Sequence, residues 1–177
     1  MKNITSFLLF SLILSITAAA SASAVLVGKD SIELKGMVFN NKDRVKGVVV
    51  KVYSNNKLIK TETVRSSNRF KTNLPINAEL TIEISAPGFH TKRFIFDSHL
   101  PEDVSKIPDY QFDIDIFKEE ELVGVNTSIL DFPVGIVEYD ERKEEFFRNK
   151  KYTKRMKKAY LNLWEEAQMS ERSGLEE

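Results

Sequence analysis

The stretch SNRFKTNLPINAELTIEISAPGFH, residues Ser67 to His90, carries the pattern that decides the fold. Apolar and polar residues alternate up to Leu74, pause at Pro75, alternate again from Glu79 to Ser85 and stop at Pro87-Gly88-Phe89. A period of two sends successive side chains to opposite faces of a strand. Leu80, Ile82 and Ile84 are therefore expected on a core, with Thr81, Glu83 and Ser85 toward water. Pro75 has no amide hydrogen to give to a ladder, so it should close its strand rather than sit inside it.

The same signal recurs on both sides. Upstream, SIELKGMVF places Ile32, Leu34, Gly36 and Val38 on one face, and GVVVKVYS is a β-branched run suited to a buried, pleated strand. Asn55-Asn56 can turn the chain, since asparagine tolerates positive φ. KLIKTETV then returns as an edge strand guarded by its lysines and glutamate. Downstream, FHTKRFIF starts another strand, and YQFDIDIF, beyond a loop holding Pro101 and Pro108, brings Phe112, Ile114 and Ile116 inward. Short strands separated by turn residues predict a mainly β protein, a seven-stranded antiparallel β-sandwich that closes near Lys118.

After Lys118 the character changes. EEELVGVNTSILDF reads as a connector, PVGIVEYDERKEEFF as a small β-hairpin and NKKYTKRMKKAYLNLWEEAQM as an amphipathic helix. In that helix Tyr152, Met156, Ala159, Tyr160, Leu163, Trp164 and Ala167 fall at helical spacing and make one apolar stripe. Basic residues near the helix start oppose the macrodipole, so packing of the stripe must supply most of the stability. The stripe is expected to pack on the sandwich. Set against that, Tyr152, Tyr160 and Trp164 beside Lys154, Arg155, Lys157 and Lys158 form a candidate surface for a partner or a membrane interface.

The first residues, MKNITSFLLFSLILSITAAASASA, read as an export signal: Lys2 is a positive start, Ile4 to Ala20 is apolar, and Ala22-Ser23-Ala24 fits a small-x-small cleavage site. Removal of residues 1–24 from the 177 leaves 153, enough for one core and a small appendage. The cut takes Lys2 with it, leaving 25 basic residues against 26 acidic ones. No global field then recruits nucleic acid. The chain has no cysteine, hence no disulfide framework and no lipid-anchored cysteine. The expected organisation is a signal peptide over 1–24, a sandwich over 25–118, connector and hairpin over 119–148, a helix over 149–170 and a tail over 171–177. The expected location is the periplasm or the cell surface, on the outer membrane, of a bacterium.

KGMVF followed by VKGVVVKVYSNNKLIKTETVRSSNRFKTNLPINAELTIEISAPGF resembles the carboxypeptidase regulatory-like domains, transthyretin-like (prealbumin-like) β-sandwiches related to CnaB-type repeats. The likeness lies in Gly36-Met37-Val38, Gly47 to Val52, Thr61 and Thr63, Asn68-Arg69-Phe70, Leu74-Pro75 and Leu80 to Phe89, within Ile32 to Lys118. The family has glycine where Asn68 stands, and asparagine can also take the left-handed conformation. The resemblance implies that Leu74-Pro75 turns a corner between sheets, that Gly88 ends a core strand where a side chain would obstruct, and that Phe89 plugs the sandwich end. It also implies a non-catalytic spacer or docking unit whose sheet edges and end loops meet envelope proteins. The C-terminal PVGIVEYDERKEEFFRNKKYTKRMKKAY is similar to tails of small exported Bacteroidetes proteins.

Candidate chemistry is sparse. His99 and Glu102 have the His-x-x-Glu spacing of metallocarboxypeptidases, but the only other histidine is His90, upstream, so a third ligand is missing. Asp113 and Asp115 share one strand face, as calcium ligands would, yet hard cations need more oxygens and a solvated face explains the pair. Lys35 invites comparison with the isopeptide lysine of CnaB-like domains, but its parity turns it away from the core. Asp30-Ser31-Ile32 and Asn126-Thr127-Ser128 match short glycosylation triplets. Tyr53, Phe89 and Tyr110 are the rings a carbohydrate-binding module would use if they clustered. No nucleophile elbow, phosphate loop or Cys-His pair is present, so the expectation is a chain that is not an enzyme, with no cofactor and no metal.

Overall fold

The computed structural model describes residues 31–104 and 106–174; the expected signal peptide, Asp30 and the last residues of the expected tail lie outside the described residues. The strands are β1 (Ser31–Asn40), β2 (Asp43–Arg44), β3 (Val48–Ser54), β4 (Lys57–Val64), β5 (Arg69–Pro75), β6 (Glu79–Ser85), β7 (Lys92–Asp97), β8 (Tyr110–Asp115), β9 (Ile136–Asp140) and β10 (Glu145–Arg148). Two 3-10 turns, Glu119–Leu122 and Ser128–Asp131, interrupt the connector, and the chain ends in helix α1 (Lys150–Gly174).

The strands form two mixed sheets. In the four-stranded sheet β8 runs along one edge of β1 from Leu34 to Phe39, while β5 and then β2 share its other edge. The six-stranded sheet has the order β10-β9-β7-β6-β3-β4. The seven antiparallel strands expected are thus corrected on two points. β8 is parallel to β1 and β9 is parallel to β7, and the hairpin β9–β10, expected outside the sandwich, widens its larger sheet. Alternation reports which face is apolar and carries no information on strand direction, so both points were invisible to it.

The inward faces behave as the alternation requires. Leu80, Ile82 and Ile84 of β6 and Ile32, Leu34 and Val38 of β1 are completely buried. Truncating any one of the larger of these to alanine costs about 2–5 kcal/mol in typical cores. The sheets meet through aromatic edges: Phe94 of β7 lies 4.8 Å from Phe112 of β8, and Phe96 lies 5.6 Å from Tyr110. Both pairs are T-shaped, the arrangement that ring quadrupoles favour. The outer face of β6 is only half in water, because Glu83 accepts from Tyr53 at 3.0 Å and from Arg93 Nε at 2.7 Å.

Strand β4 is the edge expected, and its protection is stronger than its composition suggests. Opposite core residues Val50 and Val52 it places Glu62 and Lys60, with Lys60 Nζ 3.4 Å from Glu62 and 3.5 Å from the Asn73 carbonyl of β5. The register slips between Val52 and Tyr53, beside exposed Leu58 and Ile59. Inward charges and a bulge both discourage a foreign strand from pairing.

The turns test individual residues. Asn55 and Asn56 adopt φ of 49° and 60°, as expected of the β3–β4 hairpin. Asn68 does not take the left-handed conformation. It is buried instead, donating from Nδ2 to the Val38 carbonyl at 3.2 Å and accepting from the Val38 amide at 2.9 Å. Gly88 has φ +77°, and an added Cβ there would meet nothing within 4 Å, so backbone conformation rather than obstruction calls for glycine. The obstructed position is Gly36, where a Cβ would come within 2.5 Å of Phe70 Cζ and 2.7 Å of the Phe112 carbonyl oxygen.

Helix α1 starts at Asn149, whose Oδ1 accepts from the Tyr152 amide at 3.0 Å, an N-cap bond. Its stripe buries Met156, Tyr160, Leu163 and Ala167 against Leu122 and Leu130 of the two connector turns. This is a second, smaller core beside the sandwich. Among the described residues no helix is long and apolar enough to cross a membrane. Because β5 and β8 both crowd Gly36, Gly36→Ala is expected to destabilise the protein by about 1–3 kcal/mol, measured as a fall in the urea midpoint with an unchanged slope.

Candidate functional site

The site grows from one buried cation. Period two carries the inward face of β7 from Phe96 and Phe94 back to Lys92, which sits opposite Ile84 and is only 9% exposed. Its ammonium lies 4.7 Å from the ring centre of Phe117 and 4.5 Å from that of Tyr160, cation–π contacts on two sides. Among the described residues no carboxylate approaches it within ion-pair distance. Burial pushes the ammonium down to about 8, and the more distant Asp115 pulls weakly the other way.

Lys92 lies in the wall of a cleft of about 230 Å³ where α1 crosses the sandwich edge. Asp113 and Asp115 of β8 form one rim; Arg148 ends β10; Thr153, Met156, Lys157 and Tyr160 share one face of α1. An apolar cavity of about 40 Å³ adjoins it, lined by Phe94, Tyr110, Phe112 and Val137 and sharing Asp113 and Arg148 with the cleft. The Tyr160 hydroxyl and Thr153 Oγ1 are fully enclosed without a hydrogen-bond partner. Burial raises the Tyr160 phenol well above its ordinary value, so it stays a donor.

Several charges outside the cleft are paired. Lys35 and Lys71 bracket Glu33, and Arg93 joins Glu83 and Asp131. In the cleft Lys92, Arg148, Lys157, Asp113 and Asp115 form no ion pair among the described residues. A larger hollow of about 660 Å³ lies between Glu119–Leu122 and the last turns of α1, but the Glu121 carboxylate there is already taken by Asn40 and the Lys118 amide.

The residues expected to form a helix surface are divided by the fold. Tyr160 and Lys157 reach the cleft. Tyr152 donates to the Pro133 carbonyl at 2.9 Å and carries the Arg155 guanidinium 5.0 Å above its ring. Trp164 stacks on Phe117 at 5.7 Å with 9° between planes. Lys154 and Lys158 stay in solvent. The aromatic stripe is therefore turned to the protein.

Other expected residues fall elsewhere. His99 places Nδ1 2.5 Å from Asp97, two residues back. Lys35 is on the outer face, as its parity indicates, beside Glu33 and Asp109. The rings proposed for glycan stacking are dispersed: Tyr110 packs against the aromatic core, Phe89 packs at its end beside the bridge to Lys118, and Tyr53 binds Glu83. Asp113 and Asp115, expected on a solvated face, are exposed and line the cleft mouth. Lys92 and Arg148 were not singled out by sequence, although the parity of Lys92 with Phe94 and Phe96 was available.

No family model matches the chain, and no curated protein matches it. Among solved structures it is similar to CueP, at 18% identity and TM-score 0.36, over 49% of this chain and 62% of that one. It is also similar to catechol 1,2-dioxygenase from Pseudomonas arvilla, at 13% identity and TM-score 0.36, over 50% of this chain and 52% of that one. Wild-type catechol 1,2-dioxygenase from Acinetobacter radioresistens matches at 14% identity and TM-score 0.35, over 51% and 52%. The chain thus spans between half and two thirds of these proteins, and likenesses this distant carry no functional inference. The expectation that the chain is not an enzyme is nevertheless withdrawn, because catechol dioxygenases stand among the structures it resembles.

Lys92 yields a prediction about pH. Its ammonium titrates near 10.5 in the unfolded chain and near 8 when folded, so the unfolded state holds the proton more tightly. Below pH 8 the cost of burying the charge is borne in full; between pH 8 and 10.5 it is relieved, and stability rises. Relative to Lys92→Met, the protein is expected to gain about 3 kcal/mol across that window. Urea unfolding of both proteins at pH 7, 8.5 and 10 would measure it, and parallel curves would show that Lys92 is not desolvated.

Proposed function

We propose that this is an exported β-sandwich module of the carboxypeptidase regulatory-like, transthyretin-like kind, with a protein-interaction role in a bacterial envelope. The Gly36, Leu74-Pro75 and Gly88-Phe89 signatures support the family reading, and the N-terminal export signal supports the location. One observation carries the interaction reading: five charged side chains, Lys92, Asp113, Asp115, Arg148 and Lys157, converge on one cleft without pairing to one another. Unpaired charges held at a cleft mouth offer a partner electrostatic complementarity and register. The edge of β4 is blunted, which directs docking away from strand addition there and toward the cleft.

The test is cross-linking of the tagged full chain in its native envelope, followed by affinity purification, beside the double variant Arg148→Glu/Lys157→Glu. Both side chains are exposed, so the variant should keep the near-UV circular dichroism of the parent. A near-stoichiometric protein that accompanies the parent and is lost from the variant is expected. An identical set of proteins from both, or none from either, would remove the cleft as the docking surface.

A further inference from the structure

Three features of the cleft are left unexplained by folding. An ammonium is buried against two rings without an ion-pair partner among the described residues, two hydroxyls are enclosed without partners, and Arg148, over the Phe112 ring, and Lys157 stand at the mouth without an ion pair. The first two are unfavourable in isolation, because a buried polar group without a partner forfeits its bonds to water. All of them are hydrogen-bond donors, and the residues that carry them line one cleft.

We propose that this cleft binds a carboxylate, received by Lys92 Nζ and the hydroxyls of Tyr160 and Thr153, with Arg148 and Lys157 at the entrance. The assignment rests on the reading of the cleft as the binding surface, and it names the chemistry of what enters. A carboxylate suits better than a phosphate on charge. The three cations exceed the two rim carboxylates by one, so a monoanion neutralises the site. A dianion would overshoot and meet Asp113 and Asp115 at close range. Those two acids are placed instead to accept from an ammonium or amide group further along the same ligand. A volume of about 230 Å³ admits a small organic acid or the last residues of a peptide chain, and both present this group.

Tyr160→Phe is the informative variant, since the hydroxyl it removes has no partner in the folded protein. If the hydroxyl only marks a packing fault, the substitution changes nothing but raises the melting temperature slightly. If it receives a carboxylate, affinity falls about tenfold, the usual effect of losing one hydrogen bond to a charged group. The experiment follows the ε-methylene signals of Lys92 by NMR in the full chain while sodium acetate, tri-alanine, tri-alanine amide or inorganic phosphate is added. Acetate and tri-alanine are expected to saturate and to move the Lys92 titration midpoint upward, while the amide does not.

Equal affinity for acetate and tri-alanine points to a small acid, and much tighter binding of tri-alanine points to a chain end; either supports the assignment. Binding of phosphate without either carboxylate, no shift with any probe, or equal affinity in Tyr160→Phe overturns it. Carboxylate binding with no captured envelope partner keeps the assignment and removes the protein-docking reading. A captured partner that survives Tyr160→Phe, with no carboxylate binding, does the reverse.

Discussion

The parallel pairing of β8 with β1 is the constraint from which the rest of the molecule follows. Running from Leu34–Tyr110 to Phe39–Asp115, it sends the end of β8 out beside the end of β1. There Asn40 fastens it, donating to the Ile116 carbonyl at 3.0 Å, and the Ile116 amide donates to Phe39 at 2.8 Å. The next residue, Phe117, accepts from the His90 amide at 2.8 Å and so lies at the entrance to β7, over Lys92. An antiparallel β8 would deliver Phe117 to the opposite end of the sandwich. Lys92 would lose one of its rings and α1 its platform.

Phe117 is accordingly the joint between two cores. It stacks on Tyr160 and Trp164 from the helix side, while Val134 packs against both clusters. The helix needs this covering. Its first turns carry Lys150, Lys151, Lys154 and Arg155 against an unfavourable dipole, and the Asn149 cap offsets that only in part. Burial of Met156, Leu163 and Ala167 supplies the remainder. The cleft exists because this docked helix meets the sandwich edge through a few large side chains.

How much of this was legible follows from what a sequence pattern encodes. Alternation located β1, β3, β4, β5, β6, β7 and β8 and chose the buried face of β1, β6 and β8, since Leu80, Ile82 and Ile84 cannot be read another way. It was silent on direction, so parallel β8 and the attachment of β9 to β7 went unread. The Gly88 position was recognised for the wrong reason, and Asn68 was assigned a conformation when its role is a hydrogen bond to Val38. The cleft was the least legible part, because Lys92, Asp113, Arg148 and Tyr160 come from four separate segments that only the completed fold brings together. Lys92 alone had a local sign, a lysine in phase with two buried phenylalanines.

The inward-turned Lys60 and Glu62 of β4 bear on how copies of this protein can accumulate. Growth of a fibre along a sheet requires each molecule to offer two competent outer strands, one to receive a neighbour and one to present to the next. In the six-stranded sheet those strands are β10 and β4, and β4 is bent by its slipped register and carries charge toward its own interior. Any stacking that begins at β10 therefore terminates at a pair. A protein crowded at high local concentration would stay discrete by virtue of two residues whose side chains point inward.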